Sequence, residues 1–312
     1  MRPTQPNQRG FHILGLALGL AVVGLICFAG YKVLNGGKES TTNKSTPPAA
    51  QTSVRADKNQ PVQWAYNEKD NKYFTKTGVA PGCPNPYKFA YTPVDLSLIN
   101  VIGMPGAYRG YNYKPHGGLR ADGTPSGQLD VRLPADATLV GLKRYYEGNP
   151  QSLQYLLTFE TDCGIAFRFD HLYTLTPAFQ KIADTTPQPT TDTRGDPNAP
   201  FARTKFKAGE IVATAVGFPA IKNIGFDFGV YDYRQRNEIS KNTEWAALHN
   251  QYQSLEWFGV CWLDMLPGAD AAKANQLALV VLNPAKPNII SDYCPHAPHK
   301  TLEFNGGKPT DG

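Results

Sequence analysis

The longest uninterrupted apolar stretch lies near the N-terminus. From Ile13 to Gly30 (ILGLALGLAVVGLICFAG) eighteen residues pass without a charge or a strong hydrogen-bonding side chain. That is about the length that crosses a hydrocarbon core, whereas the apolar run of a cleaved signal is usually about 7 to 15 residues and ends at a small-x-small site. The only processing candidates are Cys27-Phe28-Ala29 and a lipobox-like Gly24-Leu25-Ile26-Cys27, whose Ile is bulkier than lipoprotein processing usually accepts. The pattern predicts an uncleaved transmembrane signal-anchor over 13–34, after a short cytoplasmic tail over 1–12. Basic residues flank both ends, Arg2 and Arg9 before and Lys32, Lys38 and Lys44 after, so charge orients the span only weakly. The short tail on one side and the long cysteine-bearing part on the other place the domain on the extracytoplasmic side.

Residues 35–62 are rich in Asn, Gly, Ser, Thr and Pro and show no apolar period, the composition of a flexible linker. From there to 294 the pattern is that of short strands. Gln128 to Leu133, Thr138 to Tyr145, Gln154 to Glu160, Gly164 to Leu172, Glu210 to Val216 and Ile224 to Tyr231 combine alternating, β-branched or aromatic residues with turn signals on either side. One helix is predicted from Thr243 to Leu255, where Trp245, Leu248, Tyr252 and Leu255 fall near a 3.6-residue stripe. Trp257, Phe258 and Trp262 then read as core strand. Residues 184–200 form an irregular insertion whose RGD is a solvated loop, and 295–312 a loose tail. The extracytoplasmic β domain is therefore expected over 63–294.

Charge removes one class of function. The chain carries a formal +5, but its first fifty residues hold five Lys/Arg against Glu39 alone, which leaves +1 for everything after them. A domain so nearly neutral has no electrostatic footprint for nucleic acid. Cysteine usage adds a compartment. Cys27 lies in the span, and Cys83, Cys163, Cys261 and Cys294 lie beyond it without CxxC spacing. Two disulfides in an oxidising compartment are the simplest expectation, with the pairing open among three connectivities. Cys294-x-His296-x-x-His299 would bind a soft metal only if Cys294 were a free thiol. The acidic pairs Asp227 and Asp232, and Asp162 and Asp170, have spacings common on solvated strand faces. The chain has no GxSxG, HExxH, GxxxxGK[ST] or helix-opening GxGxxG.

Read in order, the strands bring out a series of pieces: His116-Gly-Gly-Leu-Arg-Ala-Asp122, the strand LPADATLVGLKRYYEG, then YLLTFETDCGIAFRFDHLYTL with His171, and after the insertion KFKAGEIVATAVGF and NIGFDFGVYD. This order resembles the lysostaphin-type (LytM-like) zinc metallopeptidases and their duplicated hybrid motif fold, over about residues 110–233. The resemblance implies a mainly β barrel-sandwich hybrid, an antiparallel β-sheet domain with one or two short helices behind the membrane helix. It also implies cell-wall peptide as substrate class and zinc as cofactor. His171-Leu172 matches the family's second-motif His, beside the scissile bond, and gives His171 a catalytic role. His116, Asp122 and Asp227 fall to the metal. The hairpin Lys205 to Ala213 is shared with biotinyl and lipoyl carriers and speaks for fold alone.

The match departs from the family at two places. His116 and Asp122 are separated by five residues where the family has three. Where the family ends in His-x-His, this chain has Gly225-Phe226-Asp227. A hydrolytic zinc needs three ligands, an open position and a base for its water. Here the base position is a glycine, and one nitrogen with two carboxylates is an oxygen-rich set atypical of zinc. Three expectations follow: a non-catalytic module binding peptidoglycan or an envelope protein; a divergent zinc metalloendopeptidase, with His171 in part replacing the missing base; or a structural accessory domain using Trp245, Trp257, Phe258 and Trp262 as its contact surface.

Overall fold

The computed structural model describes residues 57–109, 112–121, 124, 128–187, 202–250, 255–279, 291–294 and 300–301. The chain divides at Val54/Arg55 into two units. The expected signal-anchor and most of the linker lie outside the described residues. Among the described residues no helix is long and apolar enough to cross a membrane.

The C-terminal unit is mainly β with few helices. Its strands are β1 (Gln63–Asn67), β2 (Lys72–Thr77), β3 (Val101–Gly103), β4 (Ala107–Arg109), β5 (Asn112–Lys114), β6 (Gly117–Arg120), β7 (Gln128–Arg132), β8 (Ala137–Glu147), β9 (Ser152–Glu160), β10 (Ile165–Leu175), β11 (Thr204–Phe206), β12 (Ile211–Val216), β13 (Gly225–Asp232), β14 (Ala278–Leu279) and β15 (Lys300–Thr301). Helices α1 (Pro177–Ala183), α2 (Thr243–Leu248), α3 (Leu255–Phe258) and α4 (Gly268–Ala274) are short. The main sheet runs β11-β8-β9-β10-β13-β6-β3-β14-β15, and β12 bridges from β10 to β7. Neighbours are antiparallel except where β14 lies between β3 and β15.

The six strands expected from alternation all form, with ends displaced by up to three residues. The alternation is physical: in β7 Gln128 and Asp130 are exposed while Leu129 and Val131 are buried, because successive side chains leave opposite faces of a strand. One face of the β9–β10–β13–β6 region is apolar. Leu157, Phe159, Phe167, Phe169, Phe226, Phe228 and Leu119 are buried there in one continuous core, Phe169 stacking on Phe228 at 5.2 Å between ring centroids. The opposite face carries a second, smaller cluster around Ala166, Tyr231, Trp257 and Phe258, packed against Trp64, Tyr66 and Tyr73 of the β1–β2 hairpin.

β10 is shared between two pairings. Its first half, Ile165 to Asp170, pairs with β13, and its second, Leu172 to Leu175, with β12. At the corner, three steps along β10 from Phe169 to Leu172 match two steps along β9 from Leu157 to Tyr155. The extra residue makes a β-bulge, which bends a strand and re-aims its side chains.

The C-terminal third corrects three expectations. The helix from Thr243 stops at Leu248, which is 74% exposed instead of core-facing. Its N-terminus is fixed by Asn242, whose side chain accepts from the N–H groups of Glu244 and Trp245. Trp257 and Phe258 are helical and Trp262 opens a 3₁₀ turn, where strand was expected. All three are buried, so they are core and not an exposed contact surface. In the expected loose tail, Lys300 and Thr301 pair with β14, and its other residues are not among those described. The four cysteines beyond the span form Cys83–Cys163 and Cys261–Cys294, so Cys294 is not a thiol ligand. The RGD, His296 and His299 lie outside the described residues.

Candidate functional site

The polar face of the sheet is built by register. On β6 and β13 the paired residues are Gly118 with Asp227 and Arg120 with Gly225, and His116, just before β6, reaches the level of Gly229. Every large polar side chain therefore faces a glycine across the ladder. A Cβ at Gly229 would stand 2.9 Å from His116 Cβ, and one at Gly225 would stand 3.0 Å from Arg120 Cγ. At Gly229 the space is taken by the Tyr231 hydroxyl, 2.6 Å from such a Cβ, and by His116, while at Gly225 a Cβ would be tight against Arg120. On the other side of β13, Asp170 pairs with Asp227 and Arg168 with Gly229. Paired residues share a face, so His116, Asp227, Asp170 and Arg168 meet there.

His171 joins them through the bulge. A residue directly after Asp170 would normally point to the opposite face, but His171 adopts φ 61°, the left-handed region. That conformation costs a non-glycine residue on the order of 1 kcal/mol or more and needs support. Support comes from both sides of the peptide: the His171 N–H donates to Asp170 Oδ1 at 3.0 Å, and its carbonyl accepts from the Gly217 N–H at 2.8 Å.

The resulting geometry is close. His116 Nε2 lies 2.8 Å from Asp227 Oδ2, and His171 Nε2 lies 3.8 Å from the same oxygen. On its other side the His171 ring has Nδ1 3.6 Å from Glu147 Oε2 and 3.3 Å from the Tyr145 hydroxyl. The Asp170 carboxylate is held by three donors: the Tyr145 hydroxyl and the His171 N–H on Oδ1, and Arg168 at 3.0 Å on Oδ2. These groups are buried; the side chains of His116, His171 and Asp227 are 8%, 10% and 12% exposed. Beyond them on β13, burial pushes the Tyr231 phenol up to about 12.

Three of the residues expected at the site, His116, His171 and Asp227, are thus brought together, and Asp122 lies outside the described residues. Arg120, not an acidic residue, stands on the same face two positions along β6 from Gly118. Asp170, Glu147, Tyr145 and Arg168 were not anticipated. The two acidic pairs expected on solvated faces separate: Asp170, Asp227 and Asp232 are all buried, Asp232 held by Arg234 at 2.7 Å, while the partly exposed Asp162 pairs with Lys205 at 2.8 Å. Only Asp170 and Asp227 share a site.

Asp170, His171 and Asp227 offer three ligand atoms within 4.8 Å of one another, a buried group of the kind that holds a metal ion. The chemistry of the donors argues otherwise for zinc. Two ligands of a tetrahedral zinc, each at about 2.0–2.1 Å, stand roughly 3.3 Å apart, whereas His116 and Asp227 approach to 2.8 Å. Asp170 already serves three donors. His116 and Asp227 are therefore too close to serve together as zinc ligands in this arrangement, while Asp170, His171 and Asp227 remain a group with the reach to hold one ion. No known family model, curated protein or solved structure matches the chain.

Proposed function

We propose that this chain is a membrane-tethered, extracytoplasmic domain on the hybrid-motif plan of the lysostaphin-type peptidases, which binds peptidoglycan or an envelope protein without cutting it. One observation supports the reading: at Gly225, which the resemblance puts in the base position, a Cβ would stand 3.0 Å from Arg120 Cγ. A side chain there would have to push the Arg120 stem aside by a few tenths of an ångström. The imidazoles and carboxylates that remain are turned on one another, His116 to Asp227 and His171 between Asp227 and Glu147. Such a set holds itself together through its own contacts. The two disulfides fit an oxidising compartment.

The test is direct. The purified protein should hold well under one zinc per chain by elemental mass spectrometry, should leave cell-wall cross-bridge peptides intact, and should sediment with insoluble peptidoglycan or retain an envelope partner. One zinc per chain that His116→Ala removes, together with peptide cleavage, overturns it. The buried Asp170, His171 and Asp227 group favours that second reading, a divergent zinc peptidase, because its ligand atoms are within reach of one ion.

A further inference from the structure

We propose that the outward face of β7, β12 and the C-terminal arm of β10 is a binding site for an uncharged oligosaccharide of one or two pyranose rings. The surface there is a trough of 560 Å³, lined by Asp95, Leu98, Gln128, Asp130, Arg132 and Tyr173 among others. That volume lies within the range of about 300–1,000 Å³ typical of small-molecule sites.

The lining has the two chemistries a sugar ring needs. Leu98 is 49% exposed and Tyr173 40% exposed, so an apolar and an aromatic side chain stand in water at the trough's rim. The C–H face of a pyranose would cover them, because an aromatic ring presents an apolar face with a polar tip. Between them stand planar hydrogen-bonding groups: two carboxylates that accept, a guanidinium that donates, and an amide that does both. Sugar hydroxyls donate and accept in turn, and match such a mixture.

Two further observations point to a ligand. Arg132 Nε is buried, yet finds no acceptor among the described residues. A buried donor without a partner costs about 1–3 kcal/mol, and a ligand oxygen would relieve it where the Arg132 side chain turns its Nε toward the trough. Asp95 is held ready as an acceptor: the Ser97 hydroxyl and N–H, at 2.7 and 2.8 Å, keep its carboxyl below the usual carboxylate range.

The charge of the lining selects against other ligands. Asp95 and Asp130 against Arg132 leave the trough at −1, which disfavours phosphate or an anionic glycan. An extended peptide adding to β7 is blocked at one end, where the Arg132 N–H already donates to the Pro93 carbonyl and the Leu133 N–H to Glu210. The trough is separate from the His116 and Asp227 cluster, so the proposal stands or falls independently of the function proposed above.

The test uses the full chain in detergent, titrated with diacetylchitobiose, cellobiose and maltose, followed by calorimetry or by NMR shifts of labelled tyrosine. At least one of these sugars should bind saturably, and Tyr173→Ala and Asp130→Asn should each weaken it by about tenfold or more, near 1.4 kcal/mol. Both positions are on the surface, and unchanged thermal melts will show that the variants fold. Absence of saturable binding to all three sugars, or binding that neither substitution moves, overturns the proposal. So does preferential binding of a sulfated disaccharide or of an extended peptide at the same residues.

Discussion

The two faces of the β10–β13–β6 region share one backbone and are both buried, yet they are held in different ways. On one, Phe167, Phe169, Phe226, Phe228 and Leu119 interlock with rings a few ångström apart. On the other, His116 and Arg168 stand against Gly229, Asp227 stands against Gly118, and Asp170 faces Asp227. Apolar packing is non-directional, so its energy follows area and fit. A buried polar face stands only while each charge keeps its partner, and losing one partner exposes the cost of the other. The largest effect is therefore expected from a cavity on the apolar face. Phe228, fully buried, should lose about 3–5 kcal/mol as Phe228→Ala in urea unfolding, and clearly less as the better-filling Phe228→Leu. Equal losses for the two variants would mean that packing is not what this face contributes.

The polar face is tested by breaking and then removing a pair. Asp170→Ala strips the acceptor from Tyr145, from the His171 N–H and from Arg168 at once. A loss of about 2–4 kcal/mol is expected, less than the apolar cavity because Arg168 is 18% exposed and keeps some access to water. The pair Asp170→Leu with Arg168→Met should recover much of it, since no buried charge is then left alone. A double variant as unstable as Asp170→Ala would show that the ion pair is not what matters there. It would point instead to the Asp170 bond that holds His171 at positive φ.

How much of this was legible in the chain follows the range of the forces. The strands were, because alternation and turn residues are local signals. Trp257, Phe258 and Trp262 were misread as strand, since a short apolar run has no period that tells a buried helix from a buried strand. His116, His171 and Asp227 were singled out by the order of the strand motifs, and their side chains do meet. Asp170 was not, because in a regular strand it would face away from His171, and only a bulge set by pairing with β9 turns both to one side. Glu147, Arg168 and the opposition of Arg120 to Gly225 depend on cross-strand register, which no single segment encodes.

The smallest effect concerns the far end of the polar face, where partners are lacking. Tyr231 continues the row of Asp227 and Gly229 along β13, and Glu256 on α3 lies in its electrostatic reach. Glu256 is 3% exposed, and its Oε2, like the Tyr231 hydroxyl, has no hydrogen-bond partner among the described residues. Burial pushes its carboxyl up from 4.5 to about 7. The folded state therefore holds a proton that the unfolded chain releases between those values, and stability must fall as pH rises through that window and level off above it. At about 1.4 kcal/mol per pH unit the ceiling is near 3 kcal/mol, and about 2 is expected once relaxation of the site is allowed for. Glu160, pushed up by burial with Arg203 opposing, titrates in the same direction, while Asp95 and Asp136, held low, contribute stability that is lost toward acid. The comparison must therefore be between the natural chain and Glu256→Gln, in which those other groups cancel. The two should unfold at similar urea concentrations at pH 4.5, and the Gln variant should be about 2 kcal/mol more stable at pH 8. Parallel curves across that range would mean that the Glu256 carboxylate finds water or a cation, and that the polar face is paired along its whole length.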